Sequence, residues 1–238
     1  MFTKTCDKQT KSECIAQRVV CICDVILDHP LFKNLVREQT HEFSEIADII
    51  ELDEKQMLFF KLQKMDRIYF VLRGAVKLYN QDDNSSKEYV YQFSEQGDSI
   101  GLENLFTGLN YYPYAAVGLA PSKILSLKVA EFKEAINKDP VLKSNFLEYL
   151  SRLTLDLYDR SKDFVLSSVA ERLLKYLEWQ AISRDSDGFE LEISKADLAN
   201  YLGTISATLS RAFKELEEKE LIRVDNHRII INKKPLAV

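Results

Sequence analysis

The chain has 238 residues, a hydrophobic content of 46% and a formal net charge of −5 at pH 7. That length is enough for two domains, and the mixed composition is typical of a folded protein. No apolar run approaches the ~20 residues of a membrane span, and the N-terminus lacks the apolar segment of a secretion signal. We therefore expect a cytoplasmic protein without a membrane partner. The negative charge excludes a general attraction to nucleic acid, so any such affinity must come from a local cluster of cations.

All four cysteines of the chain lie near the N-terminus: Cys6, Cys14, Cys21 and Cys23. In a cytoplasmic protein this placement argues against structural disulfides. It leaves metal or cluster ligation, thiol redox chemistry and simple apolar packing open. Cys14 and Cys21 share one face of a helix predicted from Ser12 to Leu27. We assign residues 1–28 to an N-terminal cysteine-containing segment.

After a second predicted helix, roughly Thr40 to Ile49, the hydrophobic period changes from that of a helix towards that of a strand. Short β-rich runs follow, bounded by turn residues. These runs are Met57–Phe60, Ile68–Leu72, Ala75–Tyr79, Tyr89–Phe93 and Ile124–Leu127. No connection between them is long enough for a βαβ unit, so residues 29–138 are predicted to form an antiparallel β-roll or jelly-roll domain.

A long helix is predicted to start at Asp139-Pro140 and to continue without a helix breaker, giving a central helix over residues 139–166. Mostly apolar side chains recur along it at steps of four and three, as in a coiled-coil seam. These positions are Phe146, Leu150, Leu153, Leu157, Arg160 and Phe164. A dimer through this seam is the favoured interpretation, and Arg160 is expected to set its register or to pair with Asp156 or Asp159 across it. The alternative is that the stripe packs on its own β-domain.

The residues from Ser167 to the end predict a winged helix-turn-helix, residues 167–238. Ser167-Ser168 marks a hinge, and an amphipathic helix runs from Val169 to Ile182 before a polar loop at Arg184–Gly188. Two strands, Leu221–Val224 and Arg228–Ile231, then form a hairpin with a turn at Asp225-Asn226. The predicted fold class is thus α+β: an N-terminal β-domain, a long helix and a C-terminal winged helix-turn-helix.

Two short helices lie between the polar loop and the hairpin. Ser194 is expected to cap the first, with Asp197 as its capping-box partner, and Gly203 is expected to end it. Thr204 or Ser206 is expected to cap the second. This pair of helices is the part of the chain that resembles a DNA-reading unit; a helical cap on some other domain is the alternative.

In the second short helix, Leu209, Phe213 and Leu216 recur at helical spacing and predict a buried face. The opposite face is small near its beginning and basic further on, which suits entry into a major groove. Hydroxyls and an arginine can reach base edges, and a lysine can reach phosphate. Together with an arginine of the hairpin, the predicted DNA-binding residues are Thr204, Ser206, Ala207, Thr208, Ser210, Arg211, Lys214 and Arg228.

The order of a β-barrel, a long helix and a winged helix resembles the CRP/FNR family of bacterial transcription regulators over about Leu31 to Lys233. The stretches that carry the resemblance are PLFKNL, YFVLRGAVKLY, QGDSIGLENLFTG, ERLLKYL and ATLSRAFKELEEKELI. The resemblance implies a homodimer that binds a palindromic operator in double-stranded DNA and recruits or blocks RNA polymerase. It also implies a cyclic-nucleotide-binding-like sensor domain.

The effector site departs from the pattern of the cyclic-nucleotide-binding members. In those members a Gly-Glu-x-x-Gly turn is followed by Arg-Ser-Ala, and the arginine holds the phosphate. Here Pro113-Tyr114-Ala115 stands at the later site, and a buried cyclic phosphate would lack a cation. We therefore predict an effector other than cAMP. Aromatic residues either fill a degenerate pocket, which is the favoured interpretation, or line it for another ligand. The residues of this pocket are Gly97, Asp98, Gly101, Tyr112 and Tyr114.

The recognition helix departs as well. Many members carry a glutamate where Ala207 stands, and that glutamate accepts a hydrogen bond from cytosine. Alanine cannot do so, although its methyl group could contact a thymine methyl. The operator is therefore expected to differ at that base.

The signal is left open by the sequence. Oxygen-sensing members hold an iron–sulfur cluster through N-terminal cysteines, but their spacing differs from the seven, six and one residues that separate the cysteines here. A cluster or a thiol switch that responds to oxygen, oxidants or nitric oxide is favoured, and haem less so, because His29 and His41 are interpreted as surface or capping residues. No catalytic motif is present, so we expect no enzyme. The alternative function is a ligand sensor or dimerisation module that acts through protein contacts.

Overall fold

The computed structural model of the chain describes residues 29–35, 43, 47–82, 87–225 and 228–232. These residues form two compact units. The first comprises the described residues up to Tyr79 together with Phe93–Thr154, and the second comprises Asn80–Gln92 and the described residues from Leu155 onward. Within these ranges, no helix combines the length and the apolar character needed to cross a membrane.

In the described part of the chain, eight short strands lie between Asp48 and Lys128 and form two antiparallel sheets. They are β1 (Asp48–Leu52), β2 (Met57–Phe59), β3 (Arg67–Arg73), β4 (Val76–Gln81), β5 (Glu88–Ser94), β6 (Ser99–Ile100), β7 (Ala115–Gly118) and β8 (Ser122–Lys128). The strand orders are β1-β8-β3-β6 and β2-β7-β4-β5. All five predicted strand runs overlap observed strands, so the predicted antiparallel sensor fold is confirmed.

Apolar residues of both sheets form the core of the first unit. In β3 and β8 most side chains are buried, because β8 lies between β1 and β3. The rings of Phe32, Phe70 and Phe132 meet in this core at centroid distances of 5.5 to 6.4 Å. Gly74 turns the chain between β3 and β4 with φ +88°, and a Cβ there would lie 2.2 Å from Ser122 Oγ. Only glycine fits that turn.

Two helices close the first unit, and the second of them continues beyond it. These are α1 (Val129–Lys138) and α2 (Pro140–Leu166). Asp139 starts α2 as predicted, because its carboxylate accepts hydrogen bonds from the amides of Val141 (2.7 Å) and Leu142 (2.9 Å). Further along α2, the Asn145 amide donates to the carbonyl oxygen of Leu31 at 3.0 Å, which attaches the short 3-10 helix Pro30–Phe32 to the unit.

The second unit contains three further helices and a small sheet. These are α3 (Val169–Ser183), β9 (Gly188–Glu190), α4 (Lys195–Tyr201), α5 (Ser206–Glu218), β10 (Ile222–Asp225) and β11 (Arg228–Ile231). Ser168 and Glu171 form a capping box at the start of α3, at the predicted hinge. The hairpin is confirmed, with Ile222 opposite Ile231. The sequence missed β9, which pairs with β11 and makes the sheet three-stranded in the order β10-β11-β9.

The helix predicted over Thr40–Ile49 is wrong at its end. Asp48 and Ile49 belong to β1 and pair with Ser126 and Leu125 of β8. A short apolar run fits a helix and a strand equally well, and pairing with β8 decides for the strand. Phe43 is buried as predicted.

Several predictions concern residues outside the described ranges. They are the helix over Ser12–Leu27, the four cysteines at positions 6, 14, 21 and 23, the role of His41, and the turn residue Asn226. His29, by contrast, is described. Its Nδ1 accepts a hydrogen bond from the Leu31 amide at 3.1 Å and caps the 3-10 helix, so the capping interpretation is confirmed, although the side chain is buried rather than on the surface.

Candidate DNA-binding surface and effector pocket

The helix-turn-helix pair forms with the predicted local geometry at its first helix. Ser194 caps α4: its Oγ accepts a hydrogen bond from the Asp197 amide at 3.0 Å and donates to the Asp197 carboxylate at 2.6 Å. Gly203 has φ +65° in the turn that follows. A left-handed residue at this place ends a helix with little strain only when it is glycine. The turn therefore leads directly into α5.

The recognition helix α5 presents the predicted two faces. Leu209 and Leu216 are buried in the second unit, together with Ala212, which was not predicted, while Phe213 is only partly buried. On the other side the exposed residues are Ser206, Ala207, Ser210, Arg211 and Lys214. Arg211 makes no hydrogen bond or ion pair with any residue that the structure describes. Its five donors are thus available to an external acceptor.

The predicted cap of α5 is wrong. The N-cap is Ile205, which has no side chain that can accept a hydrogen bond, and Ser206 is the first helical residue. Ser210 donates instead to the Ser206 carbonyl at 3.0 Å. Ile205 is 65% exposed and is not among the residues predicted to bind DNA. Isoleucine is unusual at an N-cap, where Ser, Thr, Asp or Asn is preferred, so the sequence favoured Thr204 or Ser206 as the cap.

The remaining predicted DNA-binding residues differ in availability. Thr204 and Thr208 are half-buried. Arg228 is exposed, but its guanidinium donates to the Gly188 carbonyl at 3.2 Å, across the β9–β11 pair. Lys214 lies 3.7 Å from Glu218 in an exposed pair that is too weak to hold it. Arg228 is therefore committed to the small sheet, and Arg211 is the freer cation.

The turn at the predicted effector pocket is formed by two glycines in the left-handed region. Gly97 has φ +92° and Gly101 has φ +91°. Between them, Asp98 accepts a hydrogen bond from the Glu95 amide at 2.8 Å. Burial raises the pKa of the Asp98 carboxyl to about 6, and the hydrogen bond from Glu95 only partly opposes this. The turn thus carries a shielded carboxyl group and no cation.

Two of the residues predicted to form the effector pocket, Tyr112 and Tyr114, are buried aromatic residues. Tyr112 is 1% exposed, stacks on Phe59 at a centroid distance of 3.7 Å and donates to the Arg67 carbonyl at 2.8 Å. Tyr114 is also buried, and its hydroxyl donates to the Glu103 carboxylate. Burial raises the pKa of Glu103, and burial followed by the Glu103 charge raises the pKa of Tyr114 well above its usual value. These tyrosines are core residues with satisfied hydroxyl groups.

The predicted dimer seam on α2 is largely turned into its own chain. Phe146 is buried and Leu150 packs partly against the core of the first unit, whereas Leu157 is 58% exposed. Phe164 packs against the helix-turn-helix: its ring would lie 2.5 Å from a Cβ at Gly203. The apolar stripe predicted from the sequence is present, and part of it packs on its own chain, which was the alternative interpretation; the dimer contact stays a prediction.

Arg160 is bound by backbone groups of its own chain. No ion pair joins it to a described residue, and its predicted pairing with Asp156 or Asp159 across a dimer stays a prediction. Instead its guanidinium donates to the backbone carbonyls of Val90 (3.0 Å), Tyr91 and Tyr201 (3.1 Å). It also lies over the Tyr201 ring at 4.2 Å. The sequence could not predict these acceptors for Arg160, because they lie about 40 to 70 residues away along the chain.

Two family models match the chain, and they match different units of the fold. A cyclic nucleotide-binding domain matches residues 49–139, and a Crp-like helix-turn-helix domain matches residues 169–236. The two matched ranges are the β-domain and the helix-turn-helix unit described above.

Individual relatives agree with this assignment. A global nitrogen regulator from Nostoc sp. is 23% identical over 216 residues, covering 88% of this chain and 96% of the relative. The transcriptional activator protein Anr from Pseudomonas protegens is 25% identical over 187 residues, covering 76% and 75%. The structure of FixK2 from Bradyrhizobium japonicum has the same fold, with a TM-score of 0.70 at 17% identity over 79% of this chain and 93% of that one. The chain is thus a transcription regulator of the CRP/FNR family, a family of helix-turn-helix proteins that are not enzymes.

Proposed function

We propose that the protein acts as a homodimer that binds a palindromic operator by placing α5 in the major groove of double-stranded DNA. The observation that carries this proposal is the exposed face of α5, where Ser206, Ala207 and Ser210 leave room and Arg211 has no partner among the described residues. A guanidinium can bind guanine with two hydrogen bonds or hold a phosphate, and small residues let the helix approach the base edges.

The dimer contact lies on a different face of α2 from the predicted seam. Leu155, Tyr158 and Val165 are 63%, 68% and 81% exposed. At 100° per residue, this stripe is about 130° around the helix from the predicted seam. Apolar residues at steps of three and seven suit a coiled-coil contact with a second copy. Two copies would present two α5 helices, which is what a palindromic operator requires.

The base preference follows from Ala207. Its exposed methyl group can contact a thymine methyl, while it offers no acceptor to a cytosine amino group. The operator therefore differs from those of relatives with glutamate at this position.

The signal is something other than cAMP. Buried Tyr112 and Tyr114 occupy the sensor interior, and Pro113-Tyr114-Ala115 supplies no cation where the cyclic-nucleotide-binding members carry an arginine. A cyclic phosphate would be buried there as an unpaired anion. Oxygen, oxidants or nitric oxide acting through the N-terminal cysteines is the favoured alternative, with RNA polymerase in the cytoplasm as the partner that reads the bound state.

Selection from a random duplex library tests the DNA-binding function. The expected result is enrichment of a palindrome, with binding lost in Arg211→Ala and retained in the control Lys219→Ala, which removes a cation paired with Glu215 at the far end of α5. A library without palindromic enrichment under reducing and oxidising conditions would refute the proposal and favour action through protein contacts.

The signal needs its own experiment. Protein purified without oxygen is examined by UV–visible absorption and by iron and sulfide assay. Absorption near 400 nm with iron and sulfide supports a cluster, and a Soret band supports haem. A colourless, iron-free protein that still binds DNA would leave thiols or a small ligand as the signal.

A further inference from the structure

Arg160 joins three stretches of the second unit that are far apart in sequence. Two of its acceptors, the carbonyls of Val90 and Tyr91, lie in β5, which neighbours β4 in the sheet; we call these two strands the β4–β5 hairpin. The third acceptor is the carbonyl of Tyr201, the last residue of α4. We call the set Val90, Tyr91, Arg160, Phe164 and Tyr201 the Arg160 cluster. Its members all belong to the same compact unit.

The Arg160 guanidinium makes both hydrogen bonds at its edge and ring contacts on its face. A partly buried guanidinium needs several acceptors in its plane, and here three carbonyls supply them in place of a carboxylate. The Tyr201 ring covers its face at 4.2 Å, and the rings of Phe164 and Tyr89 lie at 5.6 and 5.9 Å. Cation–π contacts of this kind strengthen when they are shielded from water.

The Tyr201 carbonyl that accepts from Arg160 lies at the end of α4, next to the turn into the recognition helix α5. The last carbonyls of a helix have no partner within the helix, and a cation there is favourable. Tyr201 is followed by Leu202, whose carbonyl accepts from Arg172 at 3.2 Å, and by Gly203, which lies under the Phe164 ring. Two arginines and one ring therefore fix the turn that leads into α5.

We propose that Arg160 is a positioning residue for DNA binding, which holds the end of α4, and thereby the turn into α5, to the β4–β5 hairpin. This inference rests on the proposed function, because it concerns how α5 is presented to DNA. It makes operator affinity dependent on a hairpin that lies outside the helix-turn-helix. A shift of β5 moves the acceptors of Arg160 and is passed to the turn by one side chain.

The main test compares Arg160→Met with Arg152→Met. Both variants remove an arginine of α2, but Arg152 pairs only with Glu148 in an exposed contact at 2.6 Å. Arg160→Met is expected to weaken operator binding about 5- to 20-fold, in the range of ordinary coupling between distant groups. Because Arg160 touches no phosphate in this proposal, the dependence of affinity on salt should keep its slope. Arg152→Met and wild type should bind alike.

A second variant tests whether the effect of Arg160 on DNA binding passes through its contacts with β5. Tyr89→Leu removes the β5 ring that lies 5.9 Å from the Arg160 guanidinium, and it should weaken binding severalfold in the wild-type background. In the Arg160→Met background it should cause no further loss, because the connection is already broken. Additive losses, unchanged affinity in Arg160→Met, or a reduced salt slope would each overturn the proposal.

Hydrogen exchange provides a readout that needs no DNA. The amides of Leu202, Gly203 and Thr204 are bonded to carbonyls of α4 in the turn. They should exchange faster in Arg160→Met than in Arg152→Met, and equal rates would refute the role of Arg160. A protein that bound no duplex would refute the proposed function, while exchange would still decide the role of Arg160 at the turn.

Discussion

The ring of Phe164 lies against Gly203 so closely that a Cβ at position 203 would be 2.5 Å from its Cε1 atom. The same glycine has φ +65°, a conformation that other residues adopt with strain. Two independent constraints thus require glycine at the turn between α4 and α5. The end of α2 therefore packs closely against the helix-turn-helix at Gly203.

Gly203→Ala is expected to destabilise the second unit by several kcal/mol, since the left-handed conformation costs about 1–2 kcal/mol and the overlap with Phe164 adds to it. Gly97→Ala is the matched control, because Gly97 has φ +92° but nothing within 4 Å of an added Cβ. Gly97→Ala should lose only the stability that the left-handed backbone conformation costs. Denaturant unfolding measures both, and equal losses would mean that the Phe164 ring moves aside freely.

Tyr114→Phe removes the hydrogen bond to the buried Glu103 carboxylate. We expect a loss of about 1–3 kcal/mol in the free energy of unfolding, because a buried acceptor is left without this donor. The Glu103 pKa, already raised by burial, should rise further, so the loss should grow as pH increases through it. Adding Glu103→Gln should remove the pH dependence. An unchanged unfolding free energy would show that Tyr114 acts only by filling space.

Buried His29 and half-buried Asp98 give the stability of the first unit opposite dependences on pH. Burial lowers the pKa of His29 from 6.5 to about 4, so the unfolded state binds the proton first and stability falls as pH drops below 6.5. Burial raises the pKa of Asp98 from 3.8 to about 6, so the folded state binds the proton first and stability is lost as pH rises towards 6. The two effects oppose each other between about pH 4 and 6.

Asp98→Asn keeps the acceptor for the Glu95 amide and removes the titration. The free energy of unfolding of this variant should fall by about 2 kcal/mol between pH 7 and 5. This is more than the wild type loses, because protonation of Asp98 no longer offsets the protonation of His29 in the unfolded state. His29→Asn should lose nothing over that range and should gain stability in acid. Urea midpoints at each pH provide the measurement, and parallel pH profiles for the three proteins would contradict the assignment.

Dimerisation distinguishes the two faces of α2. Leu155→Glu places a charge in the proposed dimer contact and should give a monomer in sedimentation velocity. Leu157→Glu, in the predicted seam and similarly exposed, should remain dimeric. A dimer that dissociated only in Leu157→Glu would restore the seam predicted from the sequence.

The base read by position 207 can be changed deliberately. Ala207→Glu should shift one operator position towards cytosine, by about 1–3 kcal/mol, because the carboxylate accepts from the cytosine amino group. For the unchanged protein, replacing thymine by uracil at that position should weaken binding, since only the methyl group is removed. Selection with each protein tests the first expectation and direct titration tests the second. Equal affinity for both bases would exclude a methyl contact by Ala207.

Local patterns in the sequence determined the elements of this protein and their order. Helical spacing located α2, α3 and α5, alternation located five strands, and glycine placed the turn at position 203. The exposed face of α5 followed from the same spacing, because a helix with one apolar stripe must turn its other side outward. These features depend on neighbours within a few residues.

Only the tertiary structure decided which partner each element has. The run at Asp48–Ile49 became a strand because β8 offered a free edge, and β9 formed because β11 lies beside it. The stripe on α2 turned inward at Phe146 and Phe164, where apolar surface of the same chain covers it. Partners chosen across long distances in sequence leave no periodic signal, since the free energy of such contacts depends on which surfaces meet after folding.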